Sequence, residues 1–137
     1  MSFIINFLHF AGIIIALGSV TVIDTMGFFS RKSKYQTQVT IEAHHITKPL
    51  IWIGTIPMAI SWFFLYDGSI LSIWKSILIT IVILNGAFLS FYISPNLDKL
   101  IGKKVLIPWK LQSKIILSML LSFICWWSIV VITVLQW

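Results

Sequence analysis

The feature that most constrains this chain is the apolar run over residues 3–29, in which His9 and Asp24 are the ionisable side chains. A helix rises about 1.5 Å per residue, so a run of this length spans a bilayer core of roughly 30 Å with some tilt. Within hydrocarbon the backbone polar groups must be satisfied inside the segment, which a helix achieves. The chain is therefore predicted to begin with a transmembrane helix.

Three further apolar segments follow the first one. Asp67-Gly68 predicts a tight turn between the second and third, and Pro95 is expected to end the third. Pro49 is expected in the first turn of the second helix, where a missing N–H costs no hydrogen bond. We predict an all-α fold, a polytopic four-transmembrane-helix up-and-down bundle that forms a single integral membrane domain over residues 1–137. The predicted helices cover residues 3–29, 46–66, 69–94 and 113–136.

Composition and charge distribution support the same class. The chain is 58% hydrophobic and only 10% charged, whereas about a quarter of the residues in a soluble domain are charged. The net charge of +6 could indicate nucleic-acid binding. However, all ten basic residues except Lys75 lie in or beside the two long connectors. The positive-inside rule then places both connectors in the cytoplasm and both termini outside, with the lipid bilayer and no nucleic acid as partner.

One face of the first helix carries small residues. On a helical wheel Gly12 and Ala16 share an arc with His9, and Ile14 points away from it. Helices in lipid associate through small residues that let their backbones approach closely. We expect this arc to face the rest of the protein.

The predicted topology gathers Asp24, His44 and His45 at the cytoplasmic end. Carboxylate and imidazole groups together are ligands for transition metals, so these three residues form the predicted metal site. Adjacent histidines on a helix diverge by about 100°. The residues on the same side of the helix as His44 are more polar than those on the side of His45, so we expect His44 to face the interior. The alternative is ordinary ion pairing of Asp24 with a histidine or with a basic residue of the first connector.

Haem b is the other predicted cofactor, because four-helix bundles bind haem through axial ligands on facing helices. His9 and His44 lie roughly 25 Å apart in depth at 1.5 Å per residue, so they cannot share one iron. Two arrangements remain. His9 could pair with Met58, which the topology puts at a similar depth, or His44 or His45 from two chains could meet at the axis of a homodimer. A chain without any cofactor is the alternative.

Two short motifs carry a resemblance. His9-Phe10-x-Gly12 followed by Leu17 to Asp24, together with Asn85-Gly86-Ala87-Phe88-Leu89, resembles small bacterial integral membrane proteins with four helices. More distantly, the chain is similar to the copper-resistance D-type and b-type cytochrome membrane domains, whose early-helix histidines bind metal or haem. The resemblance implies a bacterial cytoplasmic membrane location and a metal- or haem-binding role for His9. The third and fourth segments contain no histidine.

No phosphate-binding glycine loop, nucleophile elbow or HExxH motif occurs, so no enzyme class is indicated. The function that we predict is a small redox-associated membrane subunit that binds haem or a metal. The main alternative is a cofactor-free accessory subunit that packs against other membrane subunits. A small proton or cation transporter ranks third, because no charged residue is predicted at mid-membrane.

Overall fold

The computed structural model describes residues 2–136, so the ends of the predicted domain at residues 1 and 137 lie outside the described part. Within it the chain is helical, without strands. Four helical stretches are long and apolar enough to cross a membrane. The elements are α1 (Ser2–Phe29), a 3-10 turn (Ser30–Lys32), α2 (Lys34–Leu65), α3 (Ile70–Phe88), a π-helical turn (Leu89–Ile93), α4 (Ser94–Asp98) and α5 (Trp109–Leu135).

Helix α2 begins at Lys34 rather than at residue 46. The side chain of Ser33 accepts a hydrogen bond of 3.1 Å from the backbone N–H of Gln36, which satisfies one of the free donors of the first turn. The polar stretch after the first basic residues is therefore helical. Pro49 consequently lies inside α2, and the expectation that it would start the helix is wrong.

The third apolar helix continues past Pro95, so the expectation that this proline would end it is also wrong. The π-helical turn shifts the hydrogen bonding, and the N–H of Ser94 bonds to the carbonyl of Leu89. Pro95 then occupies the first turn of α4, where its missing N–H breaks no hydrogen bond. The last long helix begins at Trp109, directly after Pro108 and before the predicted residue 113.

Helices α1 and α2 are in backbone contact. A Cβ atom on Gly12 would lie 2.6 Å from the carbonyl oxygen of Gly54, and one on Gly54 would lie 2.5 Å from the backbone nitrogen of Ala16. Ala16 is fully buried, whereas Ile14 is 69% exposed. The prediction that the arc of small residues faces protein is confirmed, since only glycine permits this approach.

The second close helix pair is α3 with α5. The Asn85 side chain donates to the Ser118 carbonyl at 3.1 Å and accepts from the Ser118 hydroxyl at 2.6 Å, both buried. An apolar helix face is buried as well by lipid tails as by protein. Interhelical hydrogen bonds therefore help to hold such helices together. The core between the pairs is formed by buried apolar side chains that include Ala16, Met58, Trp126 and Ile129.

Two tryptophans of α2 bond to the third apolar helix, Trp62 to α3 and Trp52 to the π-helical turn that follows it. The indole N–H of Trp62 donates to the Ser76 hydroxyl at 3.0 Å, and that of Trp52 donates to the Ser90 hydroxyl at 2.9 Å. An indole ring is wide, so helices joined through it stay farther apart than helices joined through glycine. The space beside each ring opens into one of two cavities, described next.

Candidate functional site

Two cavities lie at opposite ends of the helices. The basic-end cleft lies beside Trp52, near the connectors that carry the basic residues, and contains about 970 Å³ of space including its open mouth. Its walls are mostly apolar side chains from α1, α2, α3 and α5. The far-end pocket lies beside Trp62, near the 66–69 turn, and is lined largely by polar groups.

Three buried polar atoms around the basic-end cleft have no hydrogen-bond partner among residues 2–136. They are Oδ2 of Asp24, Nε2 of His44 and Oε1 of Gln112, and all three residues line the cleft. A buried polar atom without a partner costs about 1–3 kcal/mol. Three such atoms around one cavity therefore form a set that is suited to binding a polar group of a ligand.

Two charged residues line the cleft, Asp24 from α1 and Lys48 from α2. Lys48 lines the cleft, and its ammonium group donates to the Ser94 hydroxyl at 3.1 Å. His44 faces the cleft, as its helical row indicates. His45 is half exposed and points elsewhere, with its Nε2 atom 3.1 Å from Oδ1 of Asp98.

The three predicted metal ligands are thus divided. Asp24 and His44 line the same cleft, whereas His45 pairs with Asp98 outside it. In the described part of the chain, no group of three or more His, Cys, Asp or Glu residues is placed to hold a metal ion. A metal bound at the cleft would have to take its other ligands from Gln112, water or a second chain.

His9 lies in the far-end pocket and is only 1% exposed. Its Nδ1 atom is 3.2 Å from the Met58 carbonyl oxygen and 3.1 Å from the Ser61 hydroxyl oxygen. A carbonyl can only accept, so the contact with Met58 places the ring hydrogen on Nδ1. The buried Nε2 atom then presents a lone pair, and it has no partner among the described residues.

The predicted pairing of His9 with Met58 around a haem does not fit this geometry. The structure does bring the two residues together, but the contact joins the imidazole to the Met58 carbonyl. Met58 is fully buried in the core where α1 and α2 touch. A hydrogen bond of 3.2 Å leaves no space for a macrocycle between the two residues. His9 and His44 line different cavities, in agreement with the depth separation expected from the sequence.

Sequence reasoning missed Lys75 as a site residue. Its side chain is only 2% exposed, lines the far-end pocket with His9, and places its Nζ atom 4.2 Å from the Trp62 ring centroid. The available signal was a basic residue inside an apolar segment. Gln112 and Gln136 were also missed, and nothing in their sequence neighbourhoods distinguishes them from surface amides.

Asp67 lies at the mouth of the far-end pocket, outside the long helices. Hydrogen bonds from the Ser72 hydroxyl and from the backbone N–H of Ser69 hold the pKa of Asp67 at about 2, below its ordinary value of 3.8. This carboxyl group therefore stays ionised at neutral pH.

Comparison of the chain with protein-family models, with curated proteins and with solved structures finds no match. The functional argument accordingly depends on the geometry of the two cavities.

Proposed function

We propose that the protein is an integral membrane protein of the bacterial cytoplasmic membrane, a four-span up-and-down bundle with its basic end in the cytoplasm. The support is the outward surface of the long helices. Large apolar side chains are widely exposed along them, among them Phe63 at 80%, Ile70 at 75% and Leu117 at 70%. A monomeric soluble protein rarely exposes apolar area on this scale, whereas acyl chains cover it.

Cysteine labelling in intact cells tests this orientation. In a Cys125→Ser background, Tyr66→Cys lies at the far-end turn and Lys103→Cys at the second basic connector. We expect an impermeant maleimide to label Tyr66→Cys in intact cells and Lys103→Cys only after the cells are opened. Labelling of Lys103→Cys from outside would reverse the orientation, and recovery of the protein in the soluble fraction would reject insertion.

Within the membrane, we propose that the protein has a redox-associated role and that the basic-end cleft binds its cofactor, haem b or a transition metal, through His44. The single observation that carries this proposal is the set of three unpartnered atoms around one largely apolar cleft. When bound, such a group supplies one-electron chemistry. His44 would provide the nitrogen lone pair, and the apolar walls would exclude water.

The other polar residues suit each cofactor differently. The Lys48 ammonium lines the same cleft, where it would bind a propionate group of a haem. For a metal ion, the Asp24 carboxylate would be the second protein ligand beside His44. With His44 as the protein ligand of a haem iron, a small molecule or a histidine of a second copy would provide the other ligand.

Cofactor content of the purified protein tests the proposal. The protein is prepared in mild detergent without chelator, and absorption spectra of the oxidised and reduced forms are recorded with a metal analysis. We expect His44→Ala to lose the haem band or the bound metal. The matched control is His45→Ala, which removes the neighbouring, half-exposed imidazole and should keep the cofactor.

Two results would contradict the cofactor proposal. If His44→Ala retains the cofactor, His44 is not the ligand. If the wild-type protein contains neither haem nor stoichiometric metal, the second candidate function takes its place, a cofactor-free accessory subunit that packs against other membrane subunits. The exposed apolar faces of all four long helices are compatible with such packing.

A further inference from the structure

The far-end pocket contains a buried cation, Lys75, that has no anionic partner among residues 2–136. Lys75 is only 2% exposed, and within residues 2–136 its ammonium group makes neither an ion pair nor a hydrogen bond. The contact of Nζ with the Trp62 ring, 4.2 Å from the centroid, compensates part of the lost hydration. Burial of a charge is costly unless the charge is paired, so the pocket is suited to an anionic group at Lys75.

The same pocket presents acceptors that need a donor. Nε2 of His9 and Oε1 of Gln136 are buried without a hydrogen-bond partner among the described residues. The roles of these two groups are set by their other contacts. The opposite nitrogen of His9 lies 3.2 Å from the Met58 carbonyl, and the Gln136 amide nitrogen donates to the Ser72 hydroxyl at 2.9 Å. The Asp67 carboxylate adds a negative charge at the mouth of the pocket.

One cation and a set of acceptors next to a carboxylate match a ligand that carries both charges. A simple anion would satisfy Lys75 but would leave His9 and Gln136 without donors and would be repelled by Asp67. A simple cation would be repelled by the Lys75 ammonium group. A zwitterion with an anionic group and a primary ammonium group satisfies all of them, because the ammonium group supplies three N–H donors.

We propose that the far-end pocket binds a phosphoethanolamine group, with its phosphate on Lys75 and its ammonium group on His9, Gln136 and Asp67. The source that we infer is the headgroup of a phosphatidylethanolamine lipid. The pocket lies at the ends of the apolar helices, and Phe10 and Leu65 form part of its lining beside the polar groups. This inference rests on the membrane insertion proposed above and is independent of any cofactor at the basic end.

Thermal unfolding in detergent with added lipid tests the headgroup. A ligand that binds the native state raises the melting temperature with its concentration. We expect phosphatidylethanolamine to raise Tm by several degrees, and more than phosphatidylcholine or phosphatidylglycerol of the same acyl chains. The choline headgroup has no N–H donor, and the glycerol headgroup has no ammonium group. Free O-phosphoethanolamine is the fourth addition, and we expect it to produce a much smaller shift.

Variants connect the shift to the pocket. Lys75→Met keeps an apolar stem of similar length but removes the charge, and the phosphatidylethanolamine shift should fall to that of phosphatidylcholine. The matched control is Lys114→Met, which removes an ammonium group that donates to the Tyr92 hydroxyl on the other side of the molecule, and it should keep the full shift. If Lys75→Met does not fold, Asp67→Asn is the second variant, because Asp67 is an exposed rim residue. It should reduce the difference between the Tm shifts that phosphatidylethanolamine and phosphatidylglycerol produce.

Each contrary result has a definite meaning. Equal shifts from phosphatidylethanolamine and phosphatidylcholine would overturn recognition of the ammonium group, and an equal shift from phosphatidylglycerol would reduce the pocket to an anion site. An unchanged shift in Lys75→Met would place the lipid elsewhere. If free O-phosphoethanolamine matches the lipid, the lipid source is wrong. Failure of membrane insertion is detected separately by the labelling and fractionation experiments.

Discussion

The far-end pocket and the basic-end cleft each contain a histidine whose Nε2 atom is buried without a partner. They differ in what holds the ring. His9 is anchored through Nδ1 to the Met58 carbonyl and the Ser61 hydroxyl, whereas neither ring nitrogen of His44 makes a hydrogen bond within residues 2–136. One imidazole therefore has a set tautomer and orientation, and the other is free to adopt the tautomer that a ligand requires. Identical residues at opposite ends of a bundle thus have different degrees of preorganisation.

Helix packing explains this difference. His9 lies next to the backbone contact between Gly12 and Gly54, so the α2 carbonyl groups come within reach of its side chain. His44 projects from α2 into the basic-end cleft, where its Nε2 atom reaches no hydrogen-bonding group of a neighbouring helix among residues 2–136. The close helix contact therefore anchors the His9 ring to the neighbouring backbone, whereas the His44 ring in the cleft keeps its Nε2 atom available to a ligand.

The largest effect should come from Gly12→Ala. The new methyl group would lie 2.6 Å from the Gly54 carbonyl oxygen, so α1 and α2 must separate. We expect a loss of about 3 kcal/mol of stability, or failure to assemble, since overpacking against backbone has little room to relax. Chemical denaturation of the purified protein, followed by tryptophan fluorescence, measures the change.

Gly18→Ala is the control for that experiment, because no atom outside its own turn of helix lies within 4 Å of a Cβ atom at this position. Alanine has the better helix propensity, so stability should be unchanged or should rise by up to about 1 kcal/mol. Equal tolerance of the two substitutions would show that the glycine contact does not hold α1 against α2, and the explanation for the anchored His9 would fail.

A smaller effect is expected from Trp52→Phe at the basic-end cleft. The substitution keeps an aromatic ring but removes the N–H that donates to Ser90 at 2.9 Å, which should cost about 1 kcal/mol. It should also weaken retention of any cofactor in the cleft, since Trp52 lines it. Trp127→Phe is the matched control, because Trp127 is 46% exposed and does not line the cleft. Indistinguishable variants would contradict the bridging role of the indole.

The smallest effect concerns Asp67 at the rim of the far-end pocket. Its pKa of about 2 in the folded protein lies below the ordinary value of 3.8, so the ionised group stabilises the fold above that ordinary value. This contribution is lost as the pH falls from about 3.8 towards about 2. Asp67→Asn should therefore lower Tm slightly at pH 7, and the difference from wild type should shrink over that acidic range. A difference that stays constant down to pH 2 would contradict the hydrogen-bonded carboxylate.

Parts of this arrangement follow from the sequence. The wheel position of Gly12 and Ala16 correctly indicates the packed face of α1, because helical periodicity determines which residues share a side. The same periodicity predicts that His44 rather than His45 faces the interior, and His44 does line the cleft. The start of α2 was missed although Ser33 followed by Gln36 matches a helix-start pattern in the sequence. The continuation of the helix beyond Pro95 could not be predicted, because it depends on a π-helical turn with no distinct sequence signal.

By itself the sequence determined an all-helical chain with four apolar helices long enough to span a membrane, since length and hydropathy are local properties. Only the tertiary structure decided that Lys75 is buried with His9 and Gln136, and that Asp24 and His44 share a cleft with Gln112. These contacts depend on the relative depth of residues on different helices and on whether a glycine or a tryptophan lies where two helices meet. Neither quantity is encoded in the periodicity of a single helix, because each is set by packing between segments distant in the chain.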